Sequence, residues 1–450
     1  MSKVIKIKKG LDIPLSGAAE KIYLTAEKSR TYAVKPPDFQ GITPKLSVHP
    51  DDQVKAGTTL FFDKYNPEIK CSSPVSGKVK IVNRGERRKI LEVVIEPDSE
   101  ITYQDFGAAD PLTLSREDII KKLLESGLWP AIRQRPYARV ANPEKAPKSI
   151  FIPGFDTSPI GPDMDFVVKG SAEEFQAGVN ALSKLTDGKI HLCLNGRYPA
   201  NEVFTSAQKV EFHYFQGPHP AGNTGVHIHH IDPINKGETV WYVQPQEVII
   251  LGRLFLTGRY DASRVLALTG SEIKKPVYYK YIGGASIEPF IKDNLKSDTV
   301  RVISGNVLTG SKITKIGHVG FYDSQITVIP EGKEFEFLGW ILPGFGKFSV
   351  SRTFFSWLTP RKKYVHNTNF HGGERAFVVT GEYEKVFPMD IYPVQLLKAI
   401  LIEDIDKMEK LGIYEVAEED FALCEFVCTS KIESQAIIRK GLDLMYNEME

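Results

Sequence analysis

The chain changes character three times along its length, and no single core satisfies every stretch. Over residues 34–98, short β-rich runs follow one another: Ala33–Val34, Lys45–Val48, Leu60–Phe62, Gly77–Val82 and Ile90–Ile95. Turn residues separate them, including His49-Pro50-Asp51-Asp52, Lys55-Ala56-Gly57 and Asn83-Arg84-Gly85. Strands this short and this regularly spaced predict a small barrel or sandwich. Beyond residue 100 helical and strand patterns alternate. Ser115 precedes Ile119, Ile120, Leu123 and Leu124 at helical spacing, and Gly127 stops the run. Ser171 and Glu174 have the spacing of a capping box ahead of Phe175, Val179, Leu182 and Leu185. Lys189–Leu194 and Lys209–Phe215 read as strands, so this stretch predicts an α/β layer with at least partly parallel strands.

Short strands return over 258–335, at Arg264–Leu268, Lys275–Tyr281, Thr299–Ile303 and Gln325–Ile329, with one short helix near Ile287–Asn294. Residues 336–393 are rich in Gly, Pro and aromatic side chains. From Val394 a helical pattern runs through Leu397, Ile400, Leu401, Ile405, Met408 and Leu411 to Gly412, and further helical patches reach Met445. The expected organisation is α+β and multidomain: a β domain over 1–100, an α/β domain over 101–257, a small β-rich module over 258–335 and a helical domain over 336–450. A length of 450 residues agrees with that division, since one core rarely serves more than about 250–300.

Charge narrows the partners. Lys and Arg total 57 against 56 Asp and Glu, a formal net charge of +1, which argues against a dedicated nucleic-acid or polybasic membrane binder. The N-terminus lacks the apolar core of a secretory signal. The longest apolar run, Val248–Leu251, resumes at Leu254–Leu256 only after Gly252-Arg253. A spanning helix needs about 20 apolar residues, so no transmembrane segment is expected. The four cysteines, Cys71, Cys193, Cys424 and Cys428, are too few to staple the chain and suit a reducing cytosol.

Four motifs carry candidate chemistry. Asp63-Lys64 followed by Ser73–Gly77 resembles the lysine tip and corner of lipoyl and biotinyl carrier domains. The spacing is about two residues longer and the tip lacks a small residue after the lysine, so reuse of the fold without modification is the expectation. His213, His219, His227, His229 and His230 form a second cluster. On a strand His227 and His229 would share a face and, with His219 or Asp232, could hold a metal; the competing reading is a rigid Pro- and Gly-rich loop whose histidines bond backbone. Cys424 and Cys428 would share a helix face, but no further cysteine lies nearby to complete a metal site, and structural thiols are expected. Trp129, Arg133, Arg135 and Tyr137 gather within nine residues. Aromatic and guanidinium groups together suit a planar or anionic ligand, or an interface. No dinucleotide fingerprint, P-loop or nucleophile elbow occurs, and neither a catalytic residue nor a metal ligand set is assigned.

Several segments together resemble one family, the NqrA subunits of the Na+-translocating NADH:quinone reductases. They are Gly10–Gly17, Lys64–Pro67 with Ser73–Gly77, Asn83–Glu86, Gly217–Gly222 with His227 and His229, and Leu423–Cys428 with Ser430 and Lys431. Their order and spread cover essentially the whole chain. The resemblance implies kinship with the flavoprotein subunit of respiratory complex I and with the C subunit of the Rnf complex. The implied fold is a carrier-like barrel-sandwich hybrid, a Rossmann-like α/β domain, a β-grasp (SLBB-like) module and a C-terminal helical domain. It also implies losses: the flavin loop of the relatives corresponds to Gly127–Arg133, where most glycines are gone, and their Fe–S cysteines are reduced to Cys424 and Cys428. This chain would then bind neither FMN nor a cluster, and NADH and flavins would be handled by other subunits. By the same resemblance it docks peripherally on the cytoplasmic face of the bacterial inner membrane, chiefly on the membrane-embedded B subunit. Quinone binding is associated with the family; an apolar cleft with few polar groups would suit it. By residue chemistry Trp129, Arg133, Arg135 and Tyr137 are the first candidates, and His219, His227 and His229 the next. A scaffold that touches no quinone, and a metalloenzyme built on the histidines, are the alternative readings.

Overall fold

The computed structural model describes residues 4–333, 341 and 343–449. The division expected between 335 and 336 lies outside the described residues.

The α/β layer shows most directly how sequence becomes architecture. Its sheet has seven strands in the spatial order Val4–Lys6, Glu211–Gln216, Lys189–Asn195, Ser149–Pro153, Val240–Tyr242, Arg133–Arg135 and Arg139–Val140. The first five run parallel, Arg133–Arg135 runs against them, and Arg139–Val140 pairs antiparallel with it. Successive side chains of a strand point to opposite faces, and here both faces are apolar. Ile150, Ile152, Leu192, Leu194 and Trp241 enter one core, against Phe175, Val179 and Leu182 of the helix Ala172–Leu182 and against the helix Pro245–Thr257. Phe151, Cys193, Phe215 and Tyr242 enter a second core. There they meet Val226 and Ile228 of the helix Thr224–Ile231, and the C-terminal helices through Leu397, Phe421, Ile438 and Leu442. A parallel sheet must be covered on both sides, and the C-terminal segment supplies the second cover.

Around this layer the β-rich segments form three further sheets. Four strands (Tyr32–Val34, Ile90–Pro97, Gly77–Arg84, Gln53–Val54) and three strands (Pro44–Leu46, Thr59–Asp63, Lys70–Ser72) build the barrel-sandwich. Leu60, Phe61, Val75, Val79, Val93 and Ile95 fill it. A six-stranded mixed sheet contains Ser263–Thr269, Val277–Ile282, Val300–Ser304, Ser311–Ile313 and Gln325–Pro330, with the short helix Glu288–Ile291 as expected. Two early segments pair away from the barrel: Val4–Lys6 edges the seven-stranded sheet and Glu20–Thr25 edges the six-stranded one. Among the described residues no helix is long and apolar enough to cross a membrane.

Local signals differ from expectation in three places. The Ser115 cap forms, its Oγ accepting from Asp118 N at 3.1 Å. Ser171 makes no such bond, because its φ/ψ of −113°/37° departs from the extended geometry that aims a capping hydroxyl at the first turn. The continuous helix expected from Val394 is two helices, Pro393–Leu401 and Ile405–Lys410. Glu403 turns left-handed (φ 57°) and Asp404 caps a fresh start, accepting from Lys407 N at 3.0 Å. The segment holding His227 and His229, expected as a strand, is the helix Thr224–Ile231.

Candidate functional site

The segment 129–137 runs through the junction of three units, and most of its side chains are occupied there. Trp129 is fully buried; its Nε1 donates to Ala141 O at 2.7 Å and its ring meets Trp241 edge-on, centroids 5.4 Å apart. The Arg133 guanidinium lies between the rings of Tyr242 (4.6 Å) and Tyr322 (4.2 Å), tying the α/β sheet to the six-stranded unit by cation–π contacts. Arg135 is fully buried. Its Nη1 donates to Asp420 Oδ2 at 2.6 Å and to Glu415 O at 2.8 Å, and its Nη2 to Glu419 Oε1 at 2.7 Å. Burial alone would lower its pKa; Asp420 and Glu419 more than offset that, so the guanidinium stays charged. Gly225 lets the helix pass this pair, since a Cβ there would collide with Asp420 Oδ1 and Arg135 Nη1.

Of the four, Tyr137 lines a cleft. Its ring stands edge-on to Tyr446 at 5.4 Å and to Tyr414 at 6.2 Å, and its carbonyl accepts from Arg439 at 3.0 Å. Beside it opens a cleft of about 520 Å³ between the barrel-sandwich and the last helix, Ser434–Met449. Pro36, Pro37, Pro44 and Asp63 line it from the barrel-sandwich, with the exposed Tyr65, and Arg139, Arg439 and Tyr446 line it from the other side. Arg139 stacks on Tyr446, its guanidinium carbon 3.5 Å from the ring centroid, while Nη2 donates to Gly41 O at 3.1 Å. Burial lowers the Arg139 pKa, with Arg439 adding to that. The lining mixes aromatic rings with guanidinium donors and the carboxylates of Asp63 and Asp443, and its volume falls in the range of small-molecule sites. Sequence reading missed Arg139, Arg439 and Tyr446, because Tyr446 joins Tyr137 only through packing across more than 300 residues.

The three histidines do not converge. Residues two apart on a helix point about 200° away from each other. His227 is fully buried, with Nε2 2.9 Å from Ala221 O. His229 Nδ1 lies 2.7 Å from Glu415 Oε2 and its Nε2 accepts from Asp390 N at 3.0 Å. His219 Nδ1 sits 3.1 Å from Thr157 Oγ1. Each ring pins one loop or helix to another. Burial pushes His227 down to about 3 and His219 down to about 4. A histidine that is neutral when folded but protonates when unfolded costs stability as pH falls below its unfolded value near 6.5. Relative to a His227→Gln variant, the wild-type chain is therefore expected to lose about 1.4 kcal/mol per pH unit between roughly pH 6 and 4. Urea titrations of both proteins across that window check it; parallel pH profiles would contradict it.

Three family models match consecutive stretches: the NqrA N-terminal barrel-sandwich hybrid domain over 5–98, the NqrA second alpha/beta domain over 114–260, and the NQRA C-terminal domain over 265–315. The A subunit of the Na(+)-translocating NADH-quinone reductase of Yersinia pestis bv. Antiqua (strain Angola) is 39% identical over 450 residues, covering 99% of this chain and 100% of its own length. Its counterpart in Neisseria meningitidis serogroup B is 39% identical over 449 residues, again 99% and 100%. That of Rhodopirellula baltica is 40% identical over 453 residues, 99% and 98%. This chain belongs to the NqrA family of Na+-translocating NADH-quinone reductase subunits. An NAD+-reducing [NiFe]-hydrogenase in the air-oxidised state overlays with a TM-score of only 0.35 at 11% identity, over 77% of this chain and 67% of that one, too loose to argue from.

In this member of the NqrA family, the loop implied to correspond to a flavin cradle does not fit a flavin phosphate. Trp129, Pro130 and Ala131 form a buried turn, and Pro130 has no N–H to offer. Gly127, at φ 73°, closes the helix Arg116–Ser126 so tightly on Ser72 that a Cβ would strike the hydroxyl. Its glycine freedom serves packing. All four thiols are buried and free, and burial pushes those of Cys71, Cys193 and Cys424 well above the ordinary range. Lys64 leaves the strand Thr59–Asp63 at an exposed turn, its ammonium 5.4 Å from the Tyr65 ring centroid, between Asp63 and Tyr65, which line the cleft.

Proposed function

We propose that this chain is the peripheral, cofactor-poor NqrA component of a Na+-translocating NADH-quinone reductase, held on the cytoplasmic face of the inner membrane by the membrane-embedded B subunit. The full-length relationship at 39–40% identity carries this reading. In such a complex NADH and a proton deliver two electrons to quinone, giving NAD+ and quinol, with hydride and electron transfer on flavins of the other subunits. The role of this chain is to dock and to present a surface. Its exposed residues Phe345, Phe355, Trp357 and Leu358 cluster in a segment that also carries Arg352, Arg361, Lys362 and Lys363. Exposed apolar side chains gathered in one segment, with the Phe345 and Phe355 rings 6.0 Å apart, favour a protein partner, and the basic residues suit a docking site beside an anionic membrane surface.

The cleft at Tyr137 is the place in this chain that suits a quinone. A quinone ring slides between Tyr65 and Tyr446, and its carbonyl oxygens meet the Arg139 and Arg439 guanidiniums. Trp129, Arg133 and Arg135 stand behind the cleft as its supports. Titrating a short-chain quinone into the purified chain, followed by tryptophan fluorescence, tests this. Saturable micromolar binding, weakened about tenfold by Tyr446→Ala and unchanged by Trp129→Phe, is expected. Binding that ignores Tyr446→Ala would move the site elsewhere, and no binding would leave a docking scaffold that touches no quinone.

A further inference from the structure

Three side chains outside that cleft meet on the second face of the seven-stranded sheet. In the parallel register His191 stands opposite Glu211, and His213 follows two residues on, so all three project from the same face. His191 Nδ1 lies 3.0 Å from His213 Nε2 and 3.8 Å from Glu211 Oε2. One ligand atom from each residue falls within 4.8 Å of the others. Four-coordinate zinc, with bonds of about 2.0–2.1 Å, places its ligand atoms about 3.4 Å apart. The two measured separations bracket that value. Burial lowers the pKa of both imidazoles, which favours the neutral rings whose lone pairs a metal takes.

The surroundings support a cation as well. The Phe151 ring lies against His191, centroids 4.7 Å apart, and fixes it in the layer. Glu211 Oε2 already holds a positive charge, the Lys189 ammonium at 2.8 Å. The Lys189 side chain is 69% exposed and can withdraw into water at little cost.

We propose that His191 Nδ1, His213 Nε2 and the Glu211 carboxylate form a three-ligand site for a divalent transition metal of the zinc class, with water in the fourth position. Two nitrogen donors exclude the oxygen-loving Mg2+ and Ca2+. Binding replaces the single proton shared between the two rings; His191 then carries its proton on Nε2, so the histidines release none. The metal would clamp the beginnings of the strands Lys189–Asn195 and Glu211–Gln216. Two strands, Ser149–Pro153 and Val240–Tyr242, lie between Lys189–Asn195 and the strand that leads to Tyr137, and the two sites share no residue, so they fail or stand independently.

The test is titration of the chelator-stripped full chain with Co2+ as a spectroscopic probe and Zn2+ as competitor. One equivalent should bind at micromolar affinity or tighter and give the visible ligand-field bands of four-coordinate Co2+. His213→Gln and Glu211→Gln should each weaken binding about tenfold or more, with unchanged circular dichroism in chelator. Lys189→Ala removes the competitor and should tighten binding. If His213→Gln does not fold, Glu211→Gln on the sheet rim provides the same reading. No saturable binding, binding indifferent to the ligand variants, or binding weakened by Lys189→Ala would overturn the site.

Discussion

Replacing Arg135 with alanine is expected to lower the stability of the folded chain by about 3–5 kcal/mol, because it strands a buried carboxylate. Asp420 is fully enclosed, and Arg135 is its cationic partner at 2.6 Å, with Ala417 N at 2.8 Å as further support. The guanidinium also satisfies Glu415 O and Glu419, so its loss opens several bonds at the seam between the α/β layer and the C-terminal helices. Burial already raises the Asp420 pKa, and removing Arg135 raises it further. The variant then gains stability from protonating Asp420 in the folded state, so its deficit shrinks as pH falls. Pairing Arg135→Met with Asp420→Leu should recover most of the loss, since an apolar pair of similar volume often equals a buried ion pair. Guanidinium denaturation at two pH values measures all of this. A pH-independent deficit, or no rescue by the double variant, would mean that the stranded charge is not the cause.

Trp129→Ala should cost a similar amount, about 3–5 kcal/mol, for a different reason. The indole is fully buried among the helix Arg116–Ser126, the strand Arg133–Arg135 and the neighbouring Trp241, so its removal leaves a large cavity. Ala141 O also loses its donor. Trp129→Phe keeps most of the volume and should cost about 1–2 kcal/mol less than the alanine variant. The deficit should be independent of pH, in contrast to that of Arg135→Ala. Denaturation midpoints of the two Trp129 variants distinguish packing from a ligand role, because a ligand role predicts loss of quinone binding in a fully stable Trp129→Phe protein.

What was legible in the sequence is what depends on neighbours along the chain. The barrel strands declared themselves through runs such as Ile90–Ile95 between turns, and the helix after Ser115 through its cap and Gly127. The helix Thr224–Ile231 was hidden because Val226 and Ile228 alternate with histidines; eight residues do not separate a period of two from 3.6. The edge strands Val4–Lys6 and Glu20–Thr25 were missed because their pairing comes from sheets formed 200 residues or more later. Site chemistry followed the same division. The unusual density of Trp129, Arg133, Arg135 and Tyr137 was visible, but Asp420, Tyr322 and Tyr446, which decide what each one does, carry no local signal. His191 and Glu211 likewise acquire meaning only once two parallel strands set them side by side.

The most direct test of the peripheral-subunit assignment is reconstitution. Membranes containing the reductase complex without its NqrA component would be mixed with the purified chain, and Na+-stimulated quinone reduction by NADH followed. Saturable recovery of activity is expected with the wild-type chain, together with its sedimentation with those membranes. A Phe355→Glu, Trp357→Glu chain, folded as judged by circular dichroism, should neither sediment nor restore activity. Failure of the wild-type chain to bind these membranes, or stoichiometric FMN in the purified chain, would contradict a cofactor-poor docking role.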